Sequence, residues 1–210
     1  EQSAVLKRLL IQRSKVLKSA KGKVTGAVNL LSAEFKAGQR WLIYCDDNKQ
    51  LKEIRDLLND EPGQIEKTRV WEYTSMMQFD QDATIEQFEV LGGILLSIEC
   101  LDEGVDIPSI SHALILASST NPRQHLQRRG RVLRTSGNKS HAVIWDTLVT
   151  TEADGKEVVF DVDLARARSF GEDATNAGQV ERRLDQLTPF SERGGDAGRD
   201  FEEEEDDDEH

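Results

Sequence analysis

The stretch that decides the fold runs from residue 94 to residue 117 and reads ILLSIECLDEGVDIPSISHALILA. It begins and ends with short apolar runs, Ile94 to Ile98 and Ala113 to Ala117, joined by a polar connection that contains glycine and proline. Apolar side chains at nearly every position indicate a strand that is buried on both faces, which is typical of parallel sheets. We therefore predict two strands of one parallel sheet in this stretch.

Three further runs have the same character and alternate with segments of helical spacing. The predicted strands are Trp41 to Cys45, Val70 to Tyr73 and His141 to Trp145. The predicted helices are Ser3 to Ala20, Val24 to Phe35, Leu51 to Leu58, Ala83 to Leu91 and a segment from Pro122 through Arg128. Strands that alternate with helices predict an α/β fold in which helices flank a parallel sheet on both faces.

The C-terminal part of the chain is predicted to be an appendage to this sheet. Asp154-Gly155, between two β-branched runs, predicts a hairpin turn. Apolar residues three or four apart from Leu164 to Leu187 predict one long amphipathic helix that ends before Pro189. The predicted parts are leading helices at 1–38, the sheet domain at 39–150, the hairpin and helix at 151–190, and a disordered acidic tail at 191–210.

The negative charge of the chain is concentrated near its C-terminal end. The formal net charge is −12, from 39 acidic and 27 basic side chains, and nine of the acids lie within residues 200–210. Without those nine, 30 acids face 27 bases, so the rest of the chain is nearly neutral and a nucleic-acid partner is not excluded. The tail is either a solubilising end or a phosphate mimic that occupies a basic cleft until nucleic acid displaces it.

Several protein classes are disfavoured by the sequence. No apolar run approaches the roughly 20 residues that a membrane helix needs. Cys45 and Cys100 lie in or beside apolar runs, which favours buried thiols in a reducing, cytoplasmic compartment over disulfides. The histidines show no metal-ligand spacing with the cysteines, so no metal site is predicted. Because the chain starts Glu1-Gln2-Ser3, with no initiator Met and no signal pattern, we expect a segment of something longer.

A second block, from Gln127 to Arg134, reads QRRGRVLR. It contains four arginines: Arg128, Arg129, Arg131 and Arg134. Ligands of open α/β sheets bind at the carboxyl ends of the strands, and planar guanidinium groups suit bidentate contacts with phosphate. The cluster therefore predicts a phosphate-facing site, and the simpler alternative is a solvated basic patch or a salt-bridged helix end.

Together the two blocks resemble motifs V and VI of superfamily 2 helicases and translocases. The first reads GVDIP from Gly104, the second reads QRRGRVLR from Gln127, and 18 residues separate them. The sequence from Leu101 to Pro108 is especially similar to that of the branch containing XPB-like and restriction-system DEAD/DEAH-type helicases. The resemblance covers roughly residues 1–150 and implies the C-terminal RecA-like lobe (P-loop NTPase-type sheet), with residues 41–46 as motif IV.

The resemblance also implies roles for individual residues. Arg131 and Arg134 would be arginine fingers that reach the γ-phosphate of ATP held, with Mg²⁺, on a partner lobe. The residues implied to bind the nucleotide are Gln127, Arg128, Gly104 and Asp106. Ser97 and Thr74 would contact nucleic-acid phosphates, because Ile98 stands where the family usually has a hydroxyl-bearing Thr.

Other polar and aromatic residues are expected to have structural roles. Asp46 and Asp47 follow a predicted strand and are expected to cap the next helix. Three tryptophans are expected in the core rather than as stacking platforms for bases: Trp41, Trp71 and Trp145. Four arginines near the C-terminal end alternate with acids and are expected on a mixed, solvated face: Arg166, Arg168, Arg182 and Arg183.

The sequence contains no Gly-x-x-x-x-Gly-Lys-Ser/Thr phosphate loop. The ATP-binding lobe must then come from elsewhere, and this chain alone is not expected to hydrolyse ATP. One hypothesis is the C-terminal motor lobe of an ATP-dependent helicase or translocase, whose partners are nucleic acid, DNA rather than RNA, and an N-terminal RecA-like lobe. The alternative is a non-catalytic module that binds nucleic acid or protein on a degenerate helicase fold.

Overall fold

In the described part of the chain, the main sheet has five strands, all parallel. The computed structural model describes residues 15–60, 69–74, 81–98, 109–116, 141–153 and 155–190, together with residues 5, 8, 9, 12, 77 and 107. The strands are β1 (Arg40–Cys45), β2 (Val70–Tyr73), β3 (Gly93–Ile98), β4 (His112–Ile115) and β5 (Val143–Asp146). Their order is β2-β3-β1-β4-β5, with every neighbouring pair parallel, so the predicted α/β fold is confirmed.

Helices cover both faces of this sheet. They are α1 (Lys21–Glu34), α2 (Asn48–Asp60) and α3 (Gln81–Leu91). One core, with Leu31, Leu51 and Ile54, lies between the sheet and helices α1 and α2, and Phe88 of α3 is buried in the core on the opposite face. Successive residues of β1 alternate between these two cores. Each fully buried side chain of this size contributes about 1.5–3 kcal/mol to folding.

The predicted leading helix is present at its described positions up to residue 18, but the described apolar residues in it are not buried. Residues 15–18 are helical, and so are residues 5, 8, 9 and 12. Val5, Leu9 and Val16 are exposed large hydrophobic residues. No helix in the described part of the chain is both long and apolar enough to cross a membrane.

The appendage contains a second sheet and two helices. Strands β6 (Thr151–Ala153) and β7 (Lys156–Phe160) are antiparallel, and β8 (Thr188–Phe190) pairs with β7 in parallel. The predicted hairpin is confirmed, since Gly155 between β6 and β7 has φ 71°, in the left-handed region that favours glycine. The helices are α4 (Asp161–Gly171) and α5 (Ala177–Leu184).

The prediction of one long helix from Leu164 to Leu187 is therefore wrong. A continuous helix of that length would spread its apolar residues over about 35 Å. Instead the chain turns after Gly171, so that Leu164, Leu184 and Leu187 share one small core with Val159 of β7. The close approach of α4 and α5 needs a glycine, because a Cβ on Gly171 would lie 2.7 Å from a methyl carbon of Val180.

Some predicted elements lie outside the described residues. These are the helix from Pro122 through Arg128 and the acidic tail from residue 191.

Gly93 offers a test of how closely the strands are packed. Its φ is 114°, and a Cβ there would collide with the backbone oxygen of Arg69. We expect Gly93→Ala to lower the free energy of unfolding by about 3 kcal/mol or more, because conformational strain and overpacking act together. Gly155→Ala is the control, since it has positive φ but open space, and should cost only about 1–2 kcal/mol. If urea denaturation gave equal losses in the free energy of unfolding for Gly93→Ala and Gly155→Ala, the close packing at Gly93 would be contradicted.

Candidate functional site at the carboxyl edge of the sheet

The carboxyl ends of three adjacent strands carry polar groups. Asp46 follows β1, Leu116 with its carbonyl follows β4, and Asp146 ends β5. Because β1, β4 and β5 are neighbours in the sheet, these residues form one continuous border, which we call the carboxyl edge. In open α/β sheets this is the edge at which ligands bind.

Lys23 reaches the carboxyl edge from α1. The residue is only 8% exposed, and its Nζ donates a hydrogen bond to the carbonyl oxygen of Leu116. Burial lowers the pKa of Lys23 to about 8, and the nearby Arg166 guanidinium lowers it further, while Asp146, Asp163 and Asp46 act in the opposite direction. Lys23 therefore lies within electrostatic range of carboxylates on the sheet and on the appendage.

Arg166 reaches the same edge from α4 of the appendage. Its Nη1 lies 2.8 Å from Asp163 Oδ1 and its Nη2 lies 3.5 Å from Asp146 Oδ2. The side chains of Arg166 and Asp146 are only 12% and 11% exposed, so this ion pair is weakly screened by solvent. The expectation of a solvated arginine is wrong for Arg166, because α4 packs it against the sheet.

The other three arginines of the appendage are on a solvated face, as expected. Arg168, Arg182 and Arg183 are all exposed. Arg168 pairs with Glu181 and Asp185, and Arg183 pairs with Glu157. These pairs stay within the appendage and do not reach the main sheet.

Asp46 and Asp47 join the end of β1 to the helices beside it. Asp47 Oδ1 accepts a hydrogen bond of 2.8 Å from the backbone N–H of Gln50, which confirms the predicted cap. The backbone N–H of Asp46 donates to Gln50 Oε1 at 2.9 Å, and its carboxylate lies 3.7 Å from Lys18 Nζ. Among the residues that the structure describes, the carboxyl edge thus carries three cations and three carboxylates: Lys18, Lys23, Arg166, Asp46, Asp146 and Asp163.

Ser97 and Thr74, the predicted nucleic-acid contacts, are both buried. Ser97 lies in β3 beside Tyr44 and Tyr73 of the flanking strands and has no exposed surface. Within the described part of the chain its hydroxyl has no hydrogen-bond partner. Thr74 follows β2, and its carbonyl accepts a 2.9 Å hydrogen bond from Gln81 Nε2. That either residue contacts phosphates stays a prediction.

The remaining predicted site residues lie outside the described residues. They are Gly104, Asp106, Gln127, Arg128, Arg131 and Arg134. The topology nevertheless shows where their segments start, because β3 ends at Ile98 and β4 ends at Ile115. Both chain exits are at the carboxyl edge, on either side of β1 and roughly 10 Å apart, which is two strand spacings.

The tryptophans differ in their burial. Trp41 is fully buried and stacks on His112 at 4.6 Å between ring centroids, and half-buried Trp71 donates its indole N–H to the carbonyl of Gly92 at 3.0 Å. Trp145 is 38% exposed, so the expectation that it lies in the core is wrong. Its strand β5 is at the edge of the sheet, which leaves the ring partly uncovered.

The predicted buried thiol is confirmed for Cys45. Burial raises the pKa of this thiol to about 12, so it is unreactive at neutral pH. Cys100 lies outside the described residues. No three His, Cys, Asp or Glu side chains among those described are grouped as metal ligands.

Sequence reasoning missed the two buried cations of the carboxyl edge. A signal existed for Lys23, which lies on the same side of α1 as Ala27 and Val28, at the spacing of a buried face. No comparable signal existed for Arg166, whose partner Asp146 is on another element twenty residues earlier.

The burial of Lys23 predicts a pH dependence of stability. The folded pKa of about 8 lies below the ordinary value of 10.5, so between pH 8 and pH 10.5 the unfolded chain binds more protons and the burial penalty disappears as pH rises. Relative to Lys23→Met, wild type should gain about 2–3 kcal/mol in the free energy of unfolding from pH 7 to pH 10. The exposed Lys21→Met variant should track wild type, and a pH-independent difference for Lys23→Met would contradict the assignment.

Comparison with known proteins identifies relatives of this chain. The family described as helicase conserved C-terminal domain matches residues 22–136. A candidate ATP-dependent RNA helicase of Methanocaldococcus jannaschii, MJ1505, is 30% identical over 143 residues, which are 64% of this chain. The chain spans only 18% of the length of that relative.

Two solved structures share the fold. The C-terminal domain of the DEAD-box protein Dbp5 has a TM-score of 0.55 and 18% identity, over 81% of this chain and 93% of that one. Domain 2 of the DEAD-box helicase Mss116p, bound to an RNA duplex, has a TM-score of 0.54 and 14% identity, over 81% and 60% of the two chains. At these identities the likeness is one of fold.

Proposed function

Because the chain belongs to the helicase conserved C-terminal domain family, we propose that it is the second motor lobe of an ATP-dependent nucleic-acid helicase or translocase. The resemblance to superfamily 2 helicases, predicted from motifs V and VI, is confirmed by the family match over both motifs. The observation that carries the proposal is topological. The segments with Gly104 and Asp106 and with Arg131 and Arg134 both start at the carboxyl edge, on either side of β1.

In the proposed motor, ATP is held between this lobe and a phosphate-loop lobe that this chain does not contain. Arg131 and Arg134 donate hydrogen bonds to the γ-phosphate, whose negative charge grows in the transition state. Such arginine contacts are worth about 10³–10⁵ in rate. Gln127, Arg128, Gly104 and Asp106 complete the nucleotide contacts. Mg²⁺ bound with the nucleotide would neutralise charge on the β- and γ-phosphates.

The contacts at the carboxyl edge support the assignment of phosphate binding to the arginines of residues 128–134. The buried cations Lys23 and Arg166 are already engaged by the Leu116 carbonyl and by carboxylates. They are therefore poor candidates for a phosphate contact. The positive charge that neutralises phosphate is instead proposed to come from the arginines of residues 128–134.

The proposed polymer partner is a nucleic acid that is gripped mainly through its phosphates. The preference for DNA expected from the sequence has no support among the relatives, because the M. jannaschii protein is named as an RNA helicase and the Mss116p domain is bound to an RNA duplex. We therefore propose a nucleic-acid partner without choosing between DNA and RNA. A direct competition between matched DNA and RNA strands distinguishes the two. Cys45, a buried free thiol, is compatible with a cytoplasmic location.

The proposed function is tested by joining the chain to a phosphate-loop lobe, encoded in the same gene or in a partner. We expect ATP hydrolysis that rises when nucleic acid is added, and no hydrolysis by the chain alone. Nucleic-acid binding without any ATPase activity in the joined protein would favour the alternative, a non-catalytic binding module.

Arginine variants then test the proposed roles. In the joined protein, Arg131→Ala and Arg134→Ala should each lower turnover by about 10³-fold or more, because each removes charge stabilisation from the transition state. Circular dichroism and melting temperature should be unchanged. Arg182→Ala is the matched control, since Arg182 is exposed on α5. Turnover like that of the control in both variants would refute the finger assignment.

A further inference from the structure

The residue Gln39 joins the starts of three neighbouring strands, at the edge of the main sheet opposite the carboxyl edge. Its Nε2 lies 3.4 Å from Nε2 of His112, the first residue of β4, and its Oε1 accepts the indole N–H of Trp41 in β1 at 2.8 Å. The same Oε1 accepts the backbone N–H of Lys36 at 2.8 Å. The backbone carbonyl of Gln39 accepts the N–H of Gly93, where β3 begins. We call the side-chain contacts of Gln39 with Lys36, Trp41 and His112 the Gln39 network.

These contacts determine which ring nitrogen of His112 carries a hydrogen. Because Gln39 Oε1 accepts two N–H groups, turning the amide round would set its amino group against both of them. The amino group, which is a donor only, therefore faces the imidazole, and Nε2 of His112 must be the acceptor. The ring hydrogen is then on Nδ1, which lies 2.9 Å from the Ser111 hydroxyl and donates to it. That hydroxyl also accepts the backbone N–H of Arg40 and donates to the carbonyl of Arg40, each at 3.1 Å.

A second proton on His112 would set two donors against each other. The new N–H at Nε2 would point at the Gln39 amino group, and the amide would have to turn so that Oε1 faces the ring. The indole N–H of Trp41, a fully buried residue, and the N–H of Lys36 would then lose their acceptor. One effect acts the other way, because His112 stacks on Trp41 at 4.6 Å and a cation is attracted to the face of an indole ring.

The surroundings of His112 also favour the neutral ring. Burial is the largest cause that lowers the pKa of His112, and the nearby His141 lowers it further. Glu34, at the end of α1, acts in the opposite direction, and Lys36 adds a smaller lowering. On β5 the residue paired with His112 is the apolar Val143. The electrostatic surroundings and the hydrogen-bond pattern therefore agree.

We propose that the Gln39 network is a proton-sensitive device: it is intact while His112 is neutral with its hydrogen on Nδ1, and it breaks when Nε2 of His112 takes up a proton. Breaking it releases the turn between α1 and β1, in which Gly38 has φ 85°. The device acts on the folded state itself and is independent of the proposed motor function, since it lies at the other edge of the sheet.

The device should make the folded chain less stable in mild acid. The pKa of His112 in the folded chain lies below its ordinary value of 6.5, so the unfolded chain binds the proton first as pH falls. The stability that the network contributes is complete above pH 6.5 and is lost as pH falls through the folded pKa. Each unit of lowering raises the unfolding constant about tenfold relative to His112→Phe, which keeps a ring beside Trp41 but cannot titrate. Parallel pH profiles of wild type and His112→Phe in urea denaturation would contradict the device.

NMR of the full wild-type chain tests the hydrogen-bond pattern directly. Near neutral pH, the imidazole of His112 should carry hydrogen on Nδ1 and none on Nε2, and its pKa should lie below 6.5. The indole N–H signal of Trp41 should shift with the same midpoint. The indole N–H of Trp71 is the internal control and should not follow it, because its acceptor is the carbonyl of Gly92. Hydrogen on Nε2, or a pKa at or above 6.5, would overturn the proposal.

The substitution Gln39→Glu should reverse the device. A carboxylate keeps an acceptor for the N–H groups of Lys36 and Trp41, and it sets a second oxygen opposite Nε2 of His112, so it favours the charged ring. We expect the pKa of His112 to rise above 6.5 in this variant. Gln179→Glu, exposed on α5, adds the same charge as a matched control and should leave that pKa below 6.5. An unchanged or lower pKa in Gln39→Glu would overturn the proposal, and if this variant does not fold, the wild-type NMR experiment still decides.

Discussion

The whole structure depends on one constraint, which is that a parallel sheet must be buried on both faces. Parallel strands need long crossover connections, and the helices in those connections cover the sheet. Since all five strands point the same way, every chain segment that leaves a strand starts at the same edge. The segments that carry Gly104 and Asp106, and Arg131 and Arg134, therefore start close together although 18 residues separate the two motifs in sequence.

Electrostatics at this edge joins parts of the chain that the sequence suggests are separate. Lys23 precedes the sheet, Asp146 ends its last strand, and Arg166 belongs to the appendage. Burial, and secondly the nearby Arg166 guanidinium, lower the pKa of Lys23 to about 8, although Asp146, Asp163 and Asp46 act in the opposite direction. The net cost of the charged form is about 3 kcal/mol after the carboxylates have offset part of the burial penalty. The appendage is thus part of the electrostatic environment of the carboxyl edge.

Most of the main sheet could be predicted from the sequence, because its central strands are short runs of apolar residues and the helices between them have clear spacing. The appendage could not, since apolar residues three or four apart fit one long helix and two short helices equally well. The core shared by Leu164 and Leu184 and the close approach of Gly171 to Val180 distinguish the two, and neither is visible in a local pattern. Trp145 was placed wrongly because the position of β5 at the edge of the sheet is a property of the strand order.

The candidate site was predicted through motifs rather than through geometry, and this explains what was missed. Motifs V and VI identified the family and the arginines. Lys23 and Arg166 belong to no motif, and their importance appears only when the ends of β4 and β5 are placed side by side. Ser97 was recognised by its position in the chain, but its complete burial follows from the strands on both sides of β3.

The central claim is that this lobe takes part in nucleotide binding only together with a phosphate-loop lobe. The most direct measurement is the affinity between the chain and that lobe, as separate polypeptides, with and without a non-hydrolysable ATP analogue and Mg²⁺. We expect the analogue to strengthen association and ADP not to, because the γ-phosphate is the group shared between the lobes. Association that is indifferent to the nucleotide, or tight binding of the analogue to this chain alone, would contradict it.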